Sequence, residues 1–358
     1  MMFTKKCTSG SGLFTSASGK SQGIPDRKIR STLINGNGTI RYGLYDTPVG
    51  HINHEDYPLE TPTGFPVPAA LKRIMFNQFV FLGIIGPELM LGMAIVDLRY
   101  LSSSFVYLYD RKTRKLIESK KLGLPGTRHI APYPDDVSAH FRSGPLHIEM
   151  HQNDILAESK AISCCVKLDF TDTHPLRLCT RAGYRGWVYT QKTSPVSLSG
   201  EIRYGGKQLD ISSPSYMAIL DWTAGYMRRD TFWNWASAAC TLPDGRSFGL
   251  NLSCGVNETG FTENAFWLGG KMTKVDTVSF VFNPGDLQQQ WRIRSHDKKI
   301  DLVFWPEARR NENINGLFVV SRFTQLMGTF EGRLITDEGE VVDISACPGW
   351  AEDHYAKW

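Results

Sequence analysis

From residue 76 onward the chain is written as short runs of aliphatic, aromatic and β-branched residues, each closed by turn chemistry. Residues 104–110 (SFVYLYD) alternate as a strand does, and Arg111-Lys112-Thr113-Arg114 turns that run into 115–122. Similar runs recur at 146–150, 161–170, 187–191, 196–204, 216–222, 231–242, 247–254, 277–282, 291–295, 300–305, 316–336 and 340–346. Gly205-Gly206, Pro243-Asp244-Gly245, Pro284-Gly285 and Glu338-Gly339 separate several of them. Only 69–75 reads as a helix. Many strands at close, regular spacing can bury their apolar faces only in antiparallel sandwiches or barrels, so the fold class is mainly β.

The 358 residues suffice for two such units. The expected organisation is a flexible tail over 1–30, a β unit over 31–200 and a second over 201–358, divided where Thr193-Ser194-Pro195 interrupts the strand rhythm. The first 25 residues hold no acid, three Lys and many Ser, Thr and Gly, too little apolar surface to order themselves. Organellar transit peptides share that bias, but Arg and an amphipathic helix are missing here, and a cytoplasmic location is expected. The stretch 79–96 (FVFLGIIGPELMLGMAIV) nearly reaches membrane-span length, yet Gly86-Pro87-Glu88 places a turn and a charge at its centre. A hairpin is the better reading, and no transmembrane segment is assigned. Lys plus Arg exceed Asp plus Glu by 40 − 36 = 4, too mild a balance for a nucleic-acid partner. The seven cysteines show no C-x-x-C pair, and all are expected to be buried, reduced thiols.

Four groups of residues could carry chemistry. Asp221, Arg228, Arg229, Trp233 and Trp235 lie close in sequence, with both indoles on one face of a strand. A carboxyl group held against aromatic walls is driven toward its neutral, proton-donating form. The alternative is that Arg228 or Arg229 pairs with Asp221 while the indoles fill a core. Glu258, Glu263, Asn264 and Trp267 form a second group on a loop between strands. There Glu263 either assists Asp221 or pairs with Lys271, and Asn264 either meets a ligand or holds the loop backbone. Glu352, Asp353 and His354 close the chain on a segment expected to pack back on the barrel. His147, Glu149 and His151 share one strand face, a spacing able to chelate zinc. The simpler account is a solvent-facing edge strand whose Leu146, Ile148 and Met150 point inward, so no metal site is assigned. The chain has no P-loop and no H-E-x-x-H, which argues against phosphoryl transfer and zincin proteolysis.

The segments LDWTAGYMRRDTFWNWASA (220–238), GRSFGLNLSCG (245–255), ENAFWLGGK (263–271), DLVFWPEAR (301–309), QLMGTFEGRL (325–334) and GWAEDHYAKW (349–358) resemble the DUF2804 family, over about residues 76–358. That family is in turn similar to lipocalin-like proteins that include carotenoid 1,2-hydratase, fungal Diels–Alder cyclases and tocopherol cyclase. The shared look is an Asp before a Gly and then a Trp-x-Trp strand, here Asp221, Gly225, Trp233 and Trp235. The resemblance implies two packed antiparallel lipocalin-like β units, no cofactor and a hydrophobic small molecule as partner. It further implies a hydratase, isomerase or cyclase, with a non-catalytic carrier as the alternative. Catalysis is then expected at Asp221, Glu263 and Arg229, and ligand contact at Trp233, Trp235, Arg228, Asn251, Asn264, Trp267 and His354.

Overall fold

The computed structural model describes residues 31–256, 261–316 and 319–357. Two antiparallel sheets account for nearly all of it. The first has 14 strands among the described residues, between Gly43 and Gly225, and the second has nine, between Asp230 and Lys357. Each sheet curls around its own apolar core. The Arg128–Asp97 ion pair, at 2.6 Å, ties the end strand Arg128–Ile130 to Leu89–Asp97 and helps close the first barrel.

The apolar stretch 79–96 is a hairpin, Asn77–Ile85 paired with Leu89–Asp97. It reads as one continuous hydrophobic run because both faces of both strands are covered. Val80, Leu82 and Ile84 point into the first barrel, while Phe81 and Ile85 point toward the second sheet. There they meet Trp235, Met327 and Trp350, so a third core lies between the barrels. Trp350 fits because position 83 is glycine: a Cβ there would stand 2.5 Å from the indole. Gly83→Ala is therefore expected to destabilise the protein by about 1–3 kcal/mol, the usual cost of overpacking, in urea unfolding. Unchanged stability would mean that Trp350 can move aside. Among the described residues no helix is long and apolar enough to cross a membrane, and the one α-helix is the short Ala69–Met75 segment.

Several expectations are corrected by the strand pairing. The runs 187–191 and 196–204 form one strand, Gly186–Tyr204, with a bulge between Thr193 and Val196. Pro195 sits in the bulge, where a missing N–H costs no ladder bond. The division expected at residue 200 falls inside this strand; the chain changes sheets between Gly225 and Asp230 instead. The closing segment does pack on the barrel, as expected, and does so as one of its strands. Val341–Lys357 is a long strand paired on one side with Asp230–Thr241 and on the other with Val320–Ile335.

The cysteines are not all reduced. Cys240 and Cys347 form a disulfide with Cα atoms 5.9 Å apart, because the antiparallel register of Asp230–Thr241 and Val341–Lys357 brings residues 107 positions apart face to face. Cys165 is also disulfide-bonded, and Cys254 is exposed. Cysteine usage thus lends no support to a reducing compartment. Cys7 and the rest of the expected tail lie outside the described residues.

Candidate functional site

A cavity of about 220 Å³ opens between the two sheets, beside the Trp350 contact layer. Phe79, Phe81 and Phe105 wall it from the first barrel; Trp233, Trp235 and Phe323 wall it from the second. Its polar groups converge because strand register sets them side by side. Lys192 of Gly186–Tyr204 stands opposite Asp221 of Met217–Gly225. Glu352 of Val341–Lys357 stands between Trp235 on one neighbouring strand and Gln325 on the other.

Lys192 is 4% exposed and its ammonium donates to the Asp221 carboxylate. It also lies 3.7 Å from Glu263 Oε2. Burial works against the lysine charge, but the carboxylates of Asp221 and Glu263 outweigh it and hold the Lys192 pKa above its ordinary value. Asp221 accepts a further bond from the Thr223 hydroxyl at 3.0 Å.

Glu352 is the group whose proton affinity the site alters in the direction chemistry can use. Burial pushes its pKa up to about 7, against the opposing effect of hydrogen bonds from the Trp233 indole and the Gln325 amide. Those bonds are 3.3 Å from Trp233 Nε1 to Oε2 and 2.6 Å from Gln325 Nε2 to Oε1. The Tyr107 hydroxyl in turn donates to Gln325 Oε1. Glu352 is thus flanked by donors, and neither of the bonds it accepts uses the proton it carries when neutral. His354 lies two residues along the same strand face, against the rings of Trp233 and Phe323, with Nε2 3.0 Å from Ser321 Oγ. Burial, aided by the Arg310 charge, lowers its pKa to about 3, so its imidazole is neutral.

The expected residues divide clearly. Asp221, Glu263, Trp233, Trp235, Arg228 and His354 all border the cavity. Arg229 is exposed and forms no part of the wall. Neither arginine takes the Asp221 pairing, which Lys192 fills, because both follow the end of the Asp221 strand at Gly225. Arg228 donates to the Gly255 carbonyl at 3.3 Å. Asn251 lies behind Trp235, accepting from its indole at 2.9 Å and donating to the Glu263 carbonyl at 2.7 Å. It therefore positions two wall residues. Asn264 is wholly buried away from the cavity, where it joins Ser253 and Asp276 through backbone contacts of 2.6 and 2.9 Å. Trp267 is also elsewhere, donating to the His174 carbonyl at 2.7 Å. Lys271 pairs with Glu338 rather than Glu263. Glu258 lies outside the described residues. His147, Glu149 and His151 face outward, with Arg142 3.3 Å from the His147 ring.

Sequence reasoning missed Lys192, Gln325 and Tyr107, and gave Glu352 no role. A signal for Glu352 existed: Trp350, Glu352 and His354 alternate along one strand, so an inward Trp350 carries the other two to the same face.

The DUF2804 family, described as a domain of unknown function, matches the chain over residues 26–358. No curated protein matches. Among solved structures, CghA with Sch210972 aligns at a TM-score of 0.51 and 8% identity, covering 90% of this chain and 97% of that one. Kievitone hydratase from Nectria haematococca aligns at 0.46 and 9%, covering 88% and 98%.

Proposed function

Since the chain belongs to the DUF2804 family, we propose that it is an enzyme of that family which converts a hydrophobic small molecule between its barrels without a cofactor, by general acid catalysis from Glu352. The observation that carries this reading is a carboxyl group with a pKa near neutrality, bordered by donors, facing an aromatic cavity. Glu352 takes the acid role first expected of Asp221. Asp221 is engaged in a buried ion pair, which suits it to hold Lys192 in place rather than to deliver a proton.

Of the activities suggested by the motif resemblance, hydration and the proton-initiated forms of isomerisation and cyclisation share one need, a proton delivered to an alkene or carbonyl in a shaped, largely apolar site; a Diels–Alder cyclisation transfers no proton and would draw on the cavity's shape and on a hydrogen bond to a carbonyl. Glu352 can deliver that proton. The indole faces of Trp233 and Trp235 can stabilise the positive charge that protonation develops on the substrate, while Lys192 stays paired with Asp221 and Glu263. The ordered walls hold the apolar body in a reactive conformation.

Mass spectrometry of organic extracts from purified wild type and Glu352→Gln tests the reading. An apolar compound retained by the variant, and converted by wild type about 10²–10⁴-fold faster, is the expected result. Equal retention in both proteins, with no conversion by wild type, would indicate a carrier.

A further inference from the structure

We infer that the ligand of this cavity presents an uncharged oxygen, a carbonyl or hydroxyl, at its polar end, and that the cavity rejects carboxylates such as fatty acids. The inference rests on the proposed site and names the class of molecule that site takes.

Two observations carry it. First, three carboxyl groups, Asp221, Glu263 and Glu352, meet at the polar end around a single ammonium, Lys192. The neighbouring cations are held by other groups, and Arg310 Nη1, a guanidinium nitrogen without a hydrogen-bond partner, belongs to a side chain that is wholly buried and does not border the cavity. Arg310 contacts Glu118 at 2.7 Å and Glu312 at 3.1 Å. Lys274 donates to the carbonyls of Thr262 and Asn264 at 2.7 and 2.6 Å, and Arg228 donates to that of Gly255. With Glu352 protonated, Asp221 and Glu263 already share the Lys192 ammonium, so an incoming carboxylate would add a third negative charge beside one cation, in an apolar enclosure where like charges repel strongly, and would lose its hydration to do so.

Second, the bonds around Glu352 all run one way. Tyr107 donates to Gln325, and Gln325 and Trp233 both donate to Glu352. The protonated carboxyl therefore needs an acceptor supplied from the cavity. A neutral oxygen provides it and adds no charge, and the phenylalanine and tryptophan walls take the hydrocarbon remainder.

The test is isothermal titration calorimetry of the full chain at pH 6 with four probes of equal length: 1-octanol, 2-octanone, octanoate and octylamine. The alcohol and ketone should bind at least about tenfold more tightly than octanoate, the ratio that 1.4 kcal/mol of repulsion produces. Glu263→Gln removes one of the two carboxylates that share Lys192 and should narrow that ratio, chiefly by strengthening octanoate. Octanoate binding as tightly as octanol would overturn the charge rule while leaving a hydrophobic site in place. Octylamine binding most tightly would overturn the assignment of a neutral head group. Binding of none of the four, together with no compound retained by Glu352→Gln, would overturn the proposed site and this inference together.

Discussion

Lys192→Met should lower the unfolding free energy by about 3–5 kcal/mol, the cost of leaving buried charge without its partner. The methionine preserves the hydrocarbon stem and some of the volume. What it removes is the one ammonium between Asp221 and Glu263, both of which are buried. Without it the two carboxylates repel and are poorly solvated, so folding favours their protonated forms. Their folded pKa values then rise above the unfolded ones, and the variant gains proton-linked stability at low pH that it loses as pH rises. The deficit relative to wild type should accordingly be largest near pH 8 and shrink toward pH 4, as read from urea unfolding at several pH values. Lys192→Met/Asp221→Asn should recover part of the loss, because only one buried acid then lacks a partner. A single variant within about 1 kcal/mol of wild type at pH 8 would show that water or a shifted side chain solvates the acids.

Glu352→Gln should have the opposite effect at alkaline pH and stabilise the protein. The folded pKa of Glu352 stands near 7 against an ordinary 4.5. At about 1.36 kcal/mol per pH unit, that difference amounts to about 3 kcal/mol. The sign follows from its direction: the contribution is fully present below pH 4.5 and is lost as pH rises through 7. Glutamine carries no charge and escapes that loss. It has one acceptor oxygen where the carboxyl has two, so one of the bonds from Trp233 and Gln325 is forfeited, at about 1 kcal/mol. The two stability curves should therefore cross. The variant is expected to be about 2 kcal/mol more stable than wild type at pH 8 and about 1 kcal/mol less stable at pH 4.5. Taking the difference between the proteins cancels the half-buried histidines His54 and His354, whose lowered pKa values weaken both proteins alike in acid. Parallel curves between pH 4.5 and 8 would place the Glu352 carboxyl in water and remove the basis for its role as an acid.

Much of the architecture was legible because strands and turns are local. Alternation at 104–110, the Gly86-Pro87-Glu88 turn and the Trp233/Trp235 pair each required only the neighbouring residues, and each is present in the structure. Errors arose where a local signal had two meanings. Thr193-Ser194-Pro195 reads as a break in any strand pattern, yet here it is a bulge inside one long strand. Arg228 and Arg229 attracted attention by their closeness to Asp221 in sequence, but a strand carries the chain roughly 3.3 Å per residue, so they lie beyond its end. Asn264 and Trp267 are polar or aromatic on the cavity's own loop and strand, but register turns them toward backbone partners.

The sequence by itself determined the mainly β class, the hairpins and the apolar, tryptophan-rich character of the interior, since side-chain period and turn propensity act over a few residues. Only the tertiary structure decided which polar groups share that interior. Lys192 and Asp221 are 29 residues apart and Gln325 and Glu352 are 27 apart, and each pair is joined by antiparallel register. The two pairs come from different sheets, and they meet only because the barrels pack together. The shift in Glu352 proton affinity likewise belongs to that packing, for desolvation is set by everything around a carboxyl group and by nothing in its own sequence neighbourhood alone.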